Sequence, residues 1–297
     1  MLNGYYFIIL STIGYATLPI LIKIGYQLNM TIDILLTLRF FIASIILIAI
    51  RFFIVRNNYA SMKGQFTRLI VQGLLFFGCA YCYTSAIKYL AASMASIMLY
   101  AYPTIVVIIT TFFLKEKIDL RKITALVLSF IGCLMVVNIV NDQLQLSWQG
   151  VMYGLGAALV YALYIINGQY LTSRLEPITI SIYVMVVCSI ATALVYPPMG
   201  LITSSLDLSA WLVGLGTAVL CSVIPAVFYL RGIAILGASK SAIVSTIEPA
   251  ITIMLAFLIL GERLTVLQLF GAFFIISGVI ILQARKPPAK QAILTNR

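Results

Sequence analysis

Ten apolar runs, each about as long as a membrane-crossing helix, occupy almost the whole chain: 4–25, 32–54, 67–87, 92–114, 122–140, 149–170, 178–199, 210–231, 238–260 and 266–284. A hydrocarbon core about 30 Å thick takes about 20 apolar residues of helix. Within it every backbone donor and acceptor has to be met by the protein itself. Only 9% of the residues are charged, against about 25% in a soluble domain, so the chain cannot cover a water-facing surface. The expected fold is an all-α polytopic membrane protein with ten transmembrane helices. Most connections are short. The longest, RFFIVRNNYASMKGQFTR, is basic and leaves no room for a second soluble domain. The N-terminal run MLNGYYFIILSTIGYATLPILIKIGY exceeds the roughly 7–15 residues of a signal-peptide core and reads as a retained first span.

The net charge of +11 would suggest a nucleic-acid partner in a soluble protein. In this chain the basic residues act as topology determinants, and no nucleic-acid partner is expected. With the N-terminus placed inside, the inside segments hold Arg51, Arg56, Lys63, Arg68, Lys115, Lys117, Arg121, Lys122, Arg174, Arg231, Lys240, Arg285, Lys286, Lys290 and Arg297. The outside holds Lys23, Lys88 and Arg263, and Arg39 alone remains deep within a span. Both termini are therefore expected to be cytoplasmic, in a multi-pass protein of the cell (inner) membrane.

A repeat appears at one fixed offset. AIKYLAASMASIMLYAYPTIVVIITTFFLKE, from residue 86, aligns without a gap on GIAILGASKSAIVSTIEPAITIMLAFLILGE, from residue 232. The alignment pairs Ala92-Ser93 with Ala238-Ser239, Pro103 with Pro249 and Glu116 with Glu262. The same shift pairs Tyr15-Ala16 with Tyr161-Ala162, Tyr83 with Tyr229, Gly4 with Gly150 and Gly132 with Gly278. Each half, 1–145 and 146–297, holds five spans. An odd number makes the second half enter the membrane from the opposite side, so the two five-helix repeats are expected to be inverted. Inverted repeats are common in secondary transporters, with the binding site near the midplane between the repeats.

YLAASMASIMLYAYPTIVVIITTFFLKEKI and LGASKSAIVSTIEPAITIMLAFLILGERL, together with Leu38-Arg39-Phe40 and the Tyr-Ala pairs of spans one and six, resemble the EamA-type transporters of the drug/metabolite transporter superfamily. The resemblance covers nearly the whole chain. It implies ten helices, cytoplasmic termini, a central cavity lined by both halves and alternating access. It says almost nothing about the substrate.

Glu248 is the foremost candidate residue. It lies about 15 Å into span nine at 1.5 Å per residue, where an acid costs about 2.5–3.5 kcal/mol. Ser241, Ser245, Glu248 and Thr252 share one helical face, which points to a water-filled cavity or substrate path. A structural anchor hydrogen-bonded to a neighbouring helix is the alternative. Pro249 removes a backbone donor, so a kink is expected there and at its counterpart Pro103. At the repeat offset Glu248 becomes Tyr102 and the polar face becomes Ala95, Leu99, Tyr102 and Val106. A cavity with a carboxylate on one side and aromatic rings on the other, Tyr102 and Tyr100 among them, suits a solute with one polar and one apolar or aromatic end. Packing is the competing role for both rings. Arg39 could pair with a substrate carboxylate or with Glu248, or snorkel to the outer surface. Tyr15 and Tyr161 line the cavity or pack helices symmetrically. Asn167 and Gln169 are expected at the membrane–water interface. Glu116 and Glu262 are expected to be helix-end charges near basic clusters, and Gly150 and Gly154 to be a close helix contact.

The function expected from these features is secondary transport of a small organic metabolite, amino-acid-like or similarly amphipathic, with a proton coupled through Glu248. A multidrug or toxic-compound exporter is the alternative, and an intramembrane enzyme or a channel is more remote. The chain has no histidine, no H-E-x-x-H and no G-x-S-x-G, so the common catalytic sets are missing. A channel would show a ring of repeated polar groups. No Walker loop is present to supply ATP drive. Cys79 and Cys82 spell C-x-x-C inside an apolar run and read as packing residues; no metal or cofactor is expected. The lipid bilayer and a small solute are the expected partners, for a monomer or a homodimer alike.

Overall fold

The computed structural model of the chain describes residues 2–53, 64–89, 95, 98–116, 119–136, 147–196, 206–260 and 265–283. These residues form helices and their connections, with no strand among them. In chain order the helices are α1 (Leu2–Ala16), α2 (Leu18–Gln27), α3 (Ile32–Phe53), α4 (Phe66–Tyr89), α5 (Tyr102–Leu114), α6 (Leu120–Val136), α7 (Trp148–Thr172) and α8 (Pro177–Val195). There follow α9 (Leu208–Ala218), a π-helical turn (Val219–Val223), α10 (Ile224–Leu236), α11 (Ala238–Ser245), α12 (Glu248–Leu260) and α13 (Val266–Gln283). Seven helical segments among the described residues are long and apolar enough to cross a membrane, and Tyr102–Leu114 and Val266–Leu282 are shorter apolar helices. The expected start of span four, at 92–94, lies outside the described residues, as do Lys88's side chain and all of Glu262 and Arg263.

The surface is inverted relative to a soluble protein. Phe52, Phe53, Phe112, Phe113 and Leu194 stand exposed, while Gln72, Ser181, Thr192 and Ser222 are buried. Apolar side chains outside and polar ones inside are stable only with lipid as the solvent. Trp148 and Trp211 are exposed at helix starts, where indoles sit at the headgroup boundary.

Helix pairing is specific. α6 lies along α13, α4 along α7, and α1 along α10. α3 packs on α8 and α9, and α4 also meets α8. Without a hydrophobic drive between helices in lipid, close van der Waals contact at small residues holds such pairs. A Cβ on Gly132 of α6 would come within 2.6 Å of the Gly271 carbonyl oxygen, and one on Gly278 of α13 within 2.9 Å of the Ala125 carbonyl oxygen. The α6–α13 seam thus depends on the glycine of each helix. Gly132→Leu is expected to force the pair apart at a cost of about 2 kcal/mol, measured as a lower melting temperature in detergent; an unchanged value would refute the contact. Gly154 meets Met98 of the same chain, so at Gly154 the contact is internal.

The ends are fastened by charges. Arg51 Nη1 of α3 meets Glu176 Oε2 before α8 at 3.0 Å, and Lys122 Nζ meets Glu116 Oε1 at 2.9 Å. Glu116 therefore has the ion-paired helix-end position expected of it.

Candidate functional site

Both prolines of the repeated motif start a helix. Span nine divides at Thr246 and Ile247 into α11 and α12, and Pro249 occupies the first turn of α12. In span four a turn at Tyr100 and Ala101 precedes α5, whose first turn holds Pro103. Proline suits a first turn, where its missing N–H has no intrahelical partner to lose. Within span nine, which remains one helical stretch over Ala238–Ile259, the departure from α-helix is a two-residue turn at Thr246 and Ile247, where the ring of Pro249 would otherwise collide with the carbonyl four residues back. The turn is closed by shorter bonds, Thr246 N to Ile243 O at 3.3 Å and Ile247 N to Val244 O at 3.2 Å. Glu248 sits at the positive end of the half-helix that follows, where a carboxylate is favoured.

Around this turn the chain gathers tyrosines from four helices. Tyr102 of α5 and Ser245 of α11 share a hydrogen bond of 2.7 Å between their hydroxyls. Tyr161 of α7 lies edge-on to Tyr102 at 4.8 Å between centroids, stacks on Tyr164 at 5.7 Å and on Tyr229 of α10 at 6.5 Å. Tyr15 of α1 meets Tyr229 edge-on at 6.5 Å. Glu248 is within electrostatic reach of Tyr15, Tyr100, Tyr102, Tyr161 and Tyr229. It is only half-buried, and its carboxyl takes no hydrogen-bond or ion-pair partner among the described residues. The hydroxyls of Tyr15, Tyr164 and Tyr229 and of Ser241 are buried without a hydrogen-bond partner among the described residues. Tyr229 lies near Ser245 and Tyr161. Unsatisfied buried hydroxyls are costly, and two of these, on Tyr15 and Tyr229, lie within electrostatic reach of the half-buried Glu248 carboxyl.

The other expected residues distribute unevenly. Thr252 turns to α1, its hydroxyl 3.4 Å from the Ala16 carbonyl. Tyr100 is half-buried and packs with Cys133, Ala250 and Ile275, at the edge of the cluster. Arg39 does not snorkel: it is 7% exposed. Its Nε donates to Ser222 Oγ at 2.7 Å and Nη2 to the Cys221 carbonyl at 2.9 Å. Both acceptors lie in the π-helical turn, whose irregular ladder frees polar groups and draws the guanidinium inward; no ion pair with Glu248 forms among the described residues. Among the described residues no three His, Cys, Asp or Glu side chains come together to hold a metal, and all five cysteines are free.

Several participants were not singled out by sequence. Tyr164 follows Tyr161 by three positions and so shares its face. Tyr229 is the repeat partner of Tyr83. Gln169 accepts from the Ala238 N–H at 2.6 Å and caps α11, beside Gly237 at φ +82°. Asn167 donates to Gln72 Oε1 at 2.7 Å, and Gln72 donates to the Tyr164 carbonyl at 3.1 Å.

Comparison with known proteins gives a consistent answer. The profile of the EamA-like transporter family matches residues 2–138 and again 148–283. The uncharacterized transporter YcbK of Bacillus subtilis (strain 168) is 27% identical over 288 residues, covering 93% of this chain and 92% of that protein. The threonine/homoserine exporter RhtA of Salmonella typhimurium is 25% identical over 235 residues, covering 77% of this chain and 76% of that protein. A solved structure described as "Crystal structure of protein" superposes with a TM-score of 0.80 at 16% identity, covering 94% of this chain and 96% of the other, and so shares the fold. With its apolar helices, its inverted surface and a family match over nearly its full length, the chain is a multi-pass membrane protein and belongs to the EamA-like transporter family, whose members are transporters and not enzymes.

Proposed function

We propose that this transporter carries a small amphipathic organic solute, amino-acid-like in character, by alternating access, and that Glu248 binds the solute's cationic end and couples its passage to a proton. The observation that supports this is the Glu248 carboxyl at the turn between α11 and α12, without a hydrogen-bond or ion-pair partner among the described residues and within electrostatic reach of Tyr15, Tyr102, Tyr161 and Tyr229. An ammonium group would be met by the carboxylate and by ring faces, which attract cations. The rings accept an apolar remainder. Arg39 has one terminal nitrogen without a partner among the described residues, left for a solute carboxylate, while Ser245 and Thr252 line the path and Pro103 and Pro249 set the turns. The name of RhtA, a threonine/homoserine exporter, favours the same class of solute.

The proposed frame is ten helices in two inverted five-helix repeats, 1–145 and 146–297, with both termini cytoplasmic in the cell (inner) membrane. Two matches to one family profile support the repeat. So does the pairing of helices: α4 with α7 and α1 with α10 are spans three and six, then one and eight, which exchange under a pseudo-two-fold. Discontinuous helices at the repeat interface are a recurring basis of transporter sites.

A solute screen by thermal shift on the purified protein, followed by liposome flux of the hits with and without a pH gradient, tests the reading. Amino acids or related amines that raise the melting temperature and move faster under the gradient are the expected result. A screen yielding only large hydrophobic cations would replace metabolite transport with multidrug export.

A further inference from the structure

A second site lies away from the tyrosine cluster. Arg68, in the first turn of α4, lies 3.8 Å from the centroid of the Tyr170 ring near the end of α7, and Arg174 approaches the same ring at 4.8 Å. Neither guanidinium enters an ion pair among the described residues. Two like charges drawn to one ring repel each other, and a shared anion offsets that repulsion. Beside them opens a cavity of about 720 Å³, lined by Arg68, Val71, Leu114, Leu163, Asn167 and Tyr170 among others. Val71, Leu114 and Leu163 are exposed on the outer walls of apolar helices, so the cavity is continuous with the lipid-facing surface and reaches Arg68; Arg174 is not part of its lining but meets the Tyr170 ring that is.

We propose that this groove holds one anionic phospholipid, its phosphate between Arg68 and Arg174 and an acyl chain along Val71, Leu114 and Leu163. Guanidinium groups match phosphate oxygens bidentately, and basic pockets between helices at the membrane surface recognise anionic headgroups. The apolar wall selects a lipid over a soluble anion. The groove also reaches Gln169 and Gly237, the cap of α11, so an occupied groove braces the half-helix that leads to Ser245.

The full-length protein, purified in detergent and delipidated, is tested with phosphatidylglycerol, phosphatidylcholine and inorganic phosphate, reading retained lipid by native mass spectrometry and the melting temperature. The expected result is a preference on the order of tenfold for phosphatidylglycerol over phosphatidylcholine, with a higher melting temperature that phosphate alone does not reproduce. The double variant Arg68→Gln/Arg174→Gln should lose the preference, and Arg68→Lys/Arg174→Lys should keep part of it. The single Arg174→Gln, at an exposed position, provides the same comparison if the double variant does not fold. Equal retention of the two lipids by the parent, an undiminished preference in the glutamine variants, or a full thermal shift from inorganic phosphate would each overturn the lipid assignment.

Discussion

Glu248→Gln is expected to leave the melting temperature unchanged or slightly higher while reducing pH-gradient-driven flux at least about tenfold, equivalent to about 1.4 kcal/mol. The two outcomes follow from the same geometry. Among the described residues the Glu248 carboxyl has no hydrogen bond or ion pair to lose, so the substitution removes no structural contact. A neutral amide in hydrocarbon surroundings also costs less than a carboxylate. What the amide cannot do is neutralise an ammonium group or carry a proton between the two sides. Glu248→Asp keeps the charge but withdraws it by one methylene from Tyr102 and Tyr161, and should retain part of the flux and its pH dependence. Proteoliposome flux with and without the gradient, read beside the melting temperature, separates the alternatives. Full pH-driven transport by the glutamine variant would refute the coupling, and a large drop in melting temperature would make Glu248 an anchor.

The residues that sequence brought together and those it missed differ in one physical respect. Periodicity tells which face of a helix a residue occupies, and depth follows from rise per residue. Both were enough to place Glu248, Ser245 and Tyr102 at similar depth, and the Tyr102–Ser245 hydrogen bond joins two of them. Neither quantity says which helix lies opposite. Ser222 and Arg39 are 183 positions apart, and nothing in either neighbourhood marks the other. The capping of Ala238 by Gln169 has the same character. The π-helical turn was hidden for another reason: VLCSV is ordinary apolar helix by composition, and no residue within it marks the wider turn. The turn at Pro249 was half legible. The proline announced a missing donor, but whether the helix bends or breaks depends on neighbours such as Tyr102 that receive the displaced turn.

Arg39→Met is expected to lower stability by about 3 kcal/mol and to abolish flux. Two terms oppose. Removing a buried guanidinium that has no ion-pair partner among the described residues relieves the desolvation of a charge. Against this, hydrogen bonds from a charged donor contribute about 1.5–3 kcal/mol each, and Arg39 donates two of them, to Ser222 Oγ and the Cys221 carbonyl. The acceptors cannot find replacements. The Ser222 hydroxyl already leans on the Thr217 carbonyl at 3.3 Å, and the Cys221 carbonyl belongs to a π-helical turn whose ladder is out of register with the α-helices on either side. Methionine fills much of the volume and offers no donor, so the Cys221 carbonyl and the Ser222 oxygen each lose the donor that Arg39 supplied and the loss outweighs the relief. Arg39→Lys distinguishes charge from geometry: a single ammonium reaches one acceptor at a time, and the variant should fall between parent and methionine in melting temperature. If the methionine variant melts higher than the parent, the guanidinium is a net cost to the fold. Its retention at the edge of the Tyr15 cluster would then rest on the solute alone.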